Sequence, residues 1–335
     1  MEGVNQVRPA PEPVLELEIP RPRLSPRVVF VGGTGRSGTH IVAQLLGRSH
    51  NLAMIPVEVR FHTDPDGFPG LLSGEVSLEH FVRRLRGFWW KGFQTRRFRG
   101  LFRFVDRDRF DAAVAAFETR FAEDREEACR RLFFDLLWFR TERARTIRGL
   151  VEQSCDTVAQ APTLLRLFDR ARFIHVVRDG RDASASRVTQ TKGLIRPRTR
   201  AQGLAWWEER LARVEAGAAT VPSDRLLVVS LDELLLTGGG ETLRPLMQFC
   251  GTRATSRVRF FYGNRMNRDQ AHSERWREGL SDRRAARLEH SYEAALDRLE
   301  ARGARSVALL RRTLERSRGG AADEPPKPYI YDGAS

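Results

Sequence analysis

The 335-residue chain holds only three cysteines, Cys129, Cys155 and Cys250. They are too few and too scattered to frame a disulfide-stapled fold, and no histidine joins them at zinc-ligand spacing, so no metal centre is expected. A reducing cytoplasm is the default setting for such a chain. Nor is there an apolar run near the roughly 18 residues that crossing a bilayer demands, which leaves a membrane only as a peripheral surface. No internal repeat is visible. Lysine is almost missing: it stands at 91, 192 and 327 alone, so 54 of the 57 basic residues (57 less these three) are arginine, within a formal net charge of +14. Nucleic-acid binding could use that excess. However, the arginines alternate with acids, as in 123–131, and no nucleic-acid motif accompanies them, so nucleic acid is not expected as a partner. A polyanionic cofactor, with an anionic acceptor or membrane surface, accounts for part of the charge.

What the chain does have is concentrated at 27–46, RVVFVGGTGRSGTHIVAQLL. A β-branched apolar run meets a glycine-rich turn, and an apolar helical pattern follows. A turn opening a helix offers unpaired N–H groups and the positive end of the helix dipole, which together bind phosphate-like anions. Three readings compete. A P-loop nucleotidase needs lysine and a hydroxyl after the last glycine; Gly33 and Gly38 are spaced for it, but Thr39 and His40 follow. A dinucleotide fold fits Gly33-Thr34-Gly35-Arg36-Ser37-Gly38 literally, with Glu58 near the ribose-acid position, and would make the protein a Rossmann-type oxidoreductase. The third reading rests on Gly35-Arg36-Ser37-Gly38-Thr39, in which a cation stands directly before Ser-Gly-Thr.

The stretch 172–188, RFIHVVRDGRDASASRV, decides among them. It again predicts strand, turn and helix, with Asp182 as the expected cap. Arg178 stands at the strand end and Ser186 eight residues on. Arginine gives phosphate a bidentate, permanently charged partner. A bland alternative is a surface cluster of Arg178, Asp179, Arg181 and Asp182.

Together the two stretches resemble the sulfotransferases that use 3′-phosphoadenosine-5′-phosphosulfate (PAPS). The loop takes the arginine form seen in tyrosylprotein sulfotransferases and bacterial relatives. The resemblance spans roughly 27–289 and implies a P-loop-kinase-like sulfotransferase fold, α/β, with a central mostly parallel sheet flanked by helices. Residues 27–317 would form the one domain, between a Pro-rich arm at 1–26 and a loose tail at 318–335. It implies that Gly35, Arg36, Ser37, Gly38, Thr39 and His40 hold the 5′-phosphosulfate and that Arg178 and Ser186 hold the 3′-phosphate. Arg265 and Arg268, before the segment SERWREGL, would reach the cofactor. Glu58-Val59-Arg60 resembles the Glu-x-Arg of the tyrosylprotein enzymes, which makes Glu58 the candidate base beside the catalytic Arg36, with His62 as the alternative. The plain reading of Glu58 and Arg60 is an ion pair. The family's lysine-threonine-proline near the adenine is replaced by Gln153-Ser154-Cys155. A hydroxyl-bearing acceptor is implied, whether carbohydrate, glycolipid, small alcohol, phenol or protein tyrosine; a non-catalytic nucleotide-binding relative is the other option. The Gly- and Pro-rich stretch 63–74 reads as a loop closing over the acceptor. Trp89, Trp90 and Phe93, and likewise Trp206 and Trp207, read as packing residues.

Overall fold

The computed structural model describes residues 26–92, 100–138, 146–190, 197–237, 242–266, 275–319 and 328–332. Strand β1 (Arg27–Gly33) runs into the glycine turn and α1 (Thr39–Leu46), and β2 (Leu52–Met54) follows. Four helices come next: α2 (Phe68–Ser73), α3 (Leu78–Arg84), α4 (Arg107–Phe121) and α5 (Arg125–Leu137). Strand β3 (Gly149–Glu152) leads through α6 (Ala161–Leu167) to β4 (Ala171–Val177). Helices α7 (Gly180–Thr189) and α8 (Arg200–Ala218) precede β5 (Leu226–Ser230). The chain then forms α9 (Leu231–Leu236), α10 (Leu243–Phe249), α11 (Ser256–Arg265), α12 (Asp282–Ala301) and α13 (Val307–Ser317), and ends in β6 (Tyr329–Ile330).

These strands build one six-stranded sheet in the order β2-β3-β1-β4-β5-β6, parallel throughout except for the β5–β6 edge. In β1 the apolar residues alternate between two cores. Val28 and Phe30 pack with α2–α6, α8, α12 and α13, while Val29 and Val31 pack with α1 and α9–α11. A parallel strand covered on both faces needs this unbroken apolar run, which is why 28–31 carries no polar residue. Parallel pairing also sends every strand's carboxyl end to the same edge, where open α/β sheets gather their binding groups. β1 and β4 are neighbours, Gly33 lying opposite Val176, so the glycine turn and the Arg178 turn leave the sheet side by side.

Several expectations are corrected. The stretch 63–74 is not an open loop: Thr63 and Asp64 are buried, and α2 sinks Phe68 and Leu71 into the core. The cap of α7 is Asp179, whose carboxylate accepts the Arg181 N–H at 2.8 Å; Asp182 instead accepts the Trp276 N–H. In the tail, Tyr329-Ile330-Tyr331 is the part that could dock by its sequence, and here β6 pairs with β5 and Tyr329 Oη donates to the Thr242 carbonyl at 2.7 Å. The arm, apart from Pro26, lies outside the described residues.

Candidate active site

A cavity of about 570 Å³ opens at the carboxyl edge, walled by residues that follow β1, β2, β3 and β4 and by α8. Its floor is the glycine turn. Gly35, Arg36 and Gly38 all take left-handed backbone, with φ of 80°, 61° and 92°. At Gly38 a Cβ would also strike Leu231 Cδ2 at 2.5 Å, so only glycine can stand there. Arg36 has no such freedom. A non-glycine residue held at positive φ costs of order 1–3 kcal/mol, and such strain concentrates at functional sites. The turn delivers Thr39 and His40 to the first turn of α1, whose N-cap Gly38 has no side-chain cap, leaving the helix N–H groups facing the cavity. Ser37 Oγ is buried without any hydrogen-bond partner.

Guanidinium groups converge on this floor. Arg36 Nε donates to Ser186 Oγ at 2.9 Å, and Arg178 Nη1 points to the Arg36 carbonyl at 3.4 Å. Arg187 and Arg210 complete the basic wall. Desolvation first, then the like charges of Arg178 and Arg187, pull the Arg36 guanidinium below its usual pKa. Cations crowded in this way are relieved by a bound anion. Asp232 lies behind Arg178, its Oδ1 3.9 Å from Arg178 Nε, and accepts the Asp179 N–H at 2.8 Å. Burial pushes the Asp232 carboxyl up to about 6.

The helix bearing Ser186 is fastened from below. Arg181 is wholly buried between the Asp179 carboxylate, Glu289 and Ser317 Oγ, with its guanidinium 4.5 Å from the ring centre of Trp276. The motif is thus no loose surface cluster. Its charges divide between a cavity-facing Arg178 and a buried anchor, Arg181.

Glu58 follows β2 and enters the cavity from the opposite side. Solvent reaches its side chain through the mouth, yet the walls crowd it closely enough that desolvation raises its pKa against the pull of Arg60. The plain alternative of a Glu58–Arg60 ion pair meets a competing partner: Arg60 pairs with Asp64, Nε to Oδ1 at 2.9 Å, and Trp89 Nε1 holds the other oxygen at 3.0 Å. Cys155 Sγ donates toward Glu58 Oε1 at 3.8 Å and lies 4.0 Å from Thr39 Oγ1. Ser154 and Cys155 line the cavity between the glycine turn and Glu58.

Other sequence candidates fare differently. His62 is fully buried, donates or accepts at Glu152 Oε2 (3.0 Å) and packs among Phe30, Phe61 and Phe133; it does not reach the cavity. His40 lines the cavity, but its ring nitrogens are taken by Gln153 Oε1 (3.1 Å) and Gln44 Nε2 (3.0 Å), so the ring orients the turn and does not offer a spare donor. Arg265 is exposed at the end of α11 and does not line the cavity, and Arg268 lies outside the described residues, as does Phe93. Trp89 is core and Trp90 packs on Phe110 at 4.3 Å. Trp207 is core, but Trp206 lines the cavity next to Gly35. Arg187, Arg210 and Trp206 were missed in the sequence. The 206/210 spacing puts the last two on one face of α8, the only available signal. Among the described residues no cluster of His, Cys, Asp and Glu could hold a metal ion, and no helix is long and apolar enough to cross a membrane.

One prediction follows from His62. Replacing it with alanine removes one partner of the buried Glu152 carboxylate, which among the described residues keeps only the Ser154 N–H and hydroxyl, and leaves a cavity, so we expect a loss of about 3 kcal/mol in denaturant unfolding. The folded fraction should keep its activity; a large loss of turnover at unchanged stability would return His62 to the chemistry.

A parallel sheet with an arginine-rich cradle at its carboxyl edge and a carboxylate facing it defines a class, the α/β proteins built to receive a phosphate-like anion. The model of the sulfotransferase family matches residues 26–256, and the chain belongs to that family. No curated protein matches the chain. Among solved structures it is similar to the sulfotransferase domain of an olefin synthase from Synechococcus PCC 7002 (15% identity, 81% of this chain and 97% of that one, TM-score 0.45). It is also similar to a sulfotransferase domain from the curacin biosynthetic pathway (14%, 81% and 99%, TM-score 0.45) and to sulfotransferase STF9 from Mycobacterium avium (17%, 82% and 77%, TM-score 0.40).

Proposed function

We propose that the cavity binds PAPS and transfers its sulfuryl group in line to an acceptor hydroxyl. The observation that carries this reading is the Arg36–Ser186 hydrogen bond, 150 positions apart in sequence, which joins the glycine turn and the Arg178 motif in one basic cavity. A nucleotide with anionic groups at both 5′ and 3′ positions matches such a pair of cradles. The fit is chemical: the uncapped N–H groups and Thr39 at the turn, Arg178 and Arg187 in the cavity wall, and Ser186 holding Arg36. Ser37, fully buried, lies beneath the turn and does not line the cavity.

In the chemistry, Glu58 takes the acceptor proton as the acceptor oxygen bonds to sulfur. The bond from sulfur to the bridging oxygen breaks, and adenosine 3′,5′-bisphosphate leaves with that electron pair. Arg36 and the α1 amides stabilise the charge gathering on the leaving oxygen and the equatorial oxygens. Arg178 holds the 3′-phosphate. The lining mixes charged and hydroxyl side chains with Ile41, Trp206 and Cys155, and in this reading the acceptor hydroxyl approaches on the Glu58 side.

Calorimetry with adenosine 3′,5′-bisphosphate, AMP, ATP–Mg²⁺ and NAD tests the donor. We expect tight binding that collapses without the 3′-phosphate, and a weakening of about tenfold to a hundredfold in Arg178→Ala from loss of a charge-assisted contact. Equal affinity for the 3′-phosphorylated and dephosphorylated nucleotides would overturn the 3′ site, and preference for NAD would restore the dinucleotide reading.

A further inference from the structure

Most arginines of α12 and α13 with a described partner are matched by acids. Arg298 pairs with Glu208, Arg311 with Asp297 and Glu300, Arg312 with Glu233, and Arg318 with Glu289 and Glu293. The face built from α1 and α11 is different. Residues 39–51 and 242–266 contain no aspartate or glutamate at all. Arg48, Arg253, Arg257 and Arg259 are all exposed there, and none makes an ion pair among the described residues. Arg48 is tied to the face by its guanidinium, 5.0 Å from the ring centre of Phe261.

One apolar side chain stands in the middle of this charge. Helix α11 buries Val258, Phe261 and Tyr262 and turns Phe260 outward, 75% exposed, flanked in sequence and around the helix by Arg257 and Arg259. Folding gains nothing from a phenylalanine so placed. A convex helix with basic residues around an outward aromatic ring suits the boundary between headgroups and acyl chains. The unpaired charges suit anionic lipid. Single-stranded nucleic acid would call for successive stacking rings along a groove, and this face offers one ring on a ridge.

We propose that the α1–α11 face docks on an anionic lipid bilayer, with Phe260 entering the interface and Arg48, Arg253, Arg257 and Arg259 facing the headgroups. Helix α1 leads from this patch to the cavity. At 1.5 Å per residue the two ends are about 12 Å apart along its axis, so the patch lies about one short helix from the cavity floor. The inference rests on charge and exposure and stands apart from the donor assignment.

Vesicle flotation of the full chain tests it, comparing phosphatidylserine-containing vesicles with phosphatidylcholine alone, in low and high salt. We expect flotation with the anionic vesicles only, suppressed by salt. Phe260→Ala should lower partition about tenfold. The double variant Arg257→Gln/Arg259→Gln should lower it about twentyfold, from two charges at a few-fold each. Both variants should melt like the parent and keep its nucleotide affinity, since all three side chains are exposed. Flotation that is absent, or indifferent to both variants, would overturn the proposal. So would binding of a DNA duplex, or a concentration-dependent dimer lost in Phe260→Ala, where vesicles are not bound.

Discussion

Glu58→Gln is expected to lower turnover by about 10²–10⁴ while leaving the affinity for adenosine 3′,5′-bisphosphate intact. Glutamine keeps the size and hydrogen-bonding capacity of the side chain but cannot take a proton. A change confined to kcat identifies a base; a matching loss of nucleotide affinity would make Glu58 a structural residue. The pH profile gives a second readout. Desolvation sets the Glu58 carboxyl above the ordinary glutamate range, with Glu152 pushing the same way and Arg60, Cys155 and His40 pulling back. A raised pKa means the carboxylate, the active form of a base, appears only at higher pH. Turnover should therefore climb along an acidic limb displaced upward from a normal glutamate and level off above it. The limb should vanish in Glu58→Gln. A limb that persists in that variant would belong to another group.

Arg36→Ala should cost a hundredfold or more in rate, the usual effect of deleting one donor aimed at developing charge. Its position also lets backbone and side chain be told apart. Because Arg36 sits at φ 61°, glycine suits that backbone better than arginine does. Arg36→Gly should thus be about 1 kcal/mol more favourable than Arg36→Ala in unfolding experiments while being equally poor in turnover. Arg36→Lys keeps the charge but loses the planar fork that reaches Ser186, and should fall between the parent and alanine. Turnover near the parent's in Arg36→Ala would remove this residue from the reaction.

What could be read in the sequence was whatever short segments determine locally. β1 announces itself by an apolar run without polar interruption, and the glycine turn by residues that only a left-handed backbone requires. Arg178 is legible because strand, turn and helix follow each other within a few residues. The failures are those of long-range packing. Nothing within 178–182 distinguishes the arginine that faces the cavity from the one that is buried, since Arg181 is satisfied by Glu289 of α12, Ser317 of α13 and Trp276 of the segment before α12. His62 reads as an alternative base on the chemistry of its imidazole alone; the turn at Arg60, with φ of 57°, carries it away from the cavity and under the sheet's helical layer. Trp206 and Trp207 are adjacent and lie about 100° apart around α8, and only the seating of that helix turns the first to the cavity and the second to the core. The family match ends at 256, yet α12, α13 and β6 beyond it complete the larger core and the sheet.

The pairing of β6 with β5 has a consequence for how this molecule is made. β5 carries an outer row of backbone donors and acceptors, and the Ser230 N–H is met by the carbonyl of Pro328. Until residues 328–332 have left the ribosome, that row is an open edge able to recruit a strand from another chain. Synthesis therefore passes through an interval in which the cavity-bearing part of the sheet is assembled but unfinished on one side. Truncations that remove this short strand, or bulky fusions joined directly behind it, should prolong that interval, and their cost should appear as aggregated product during expression before it appears as lost activity in the protein that survives.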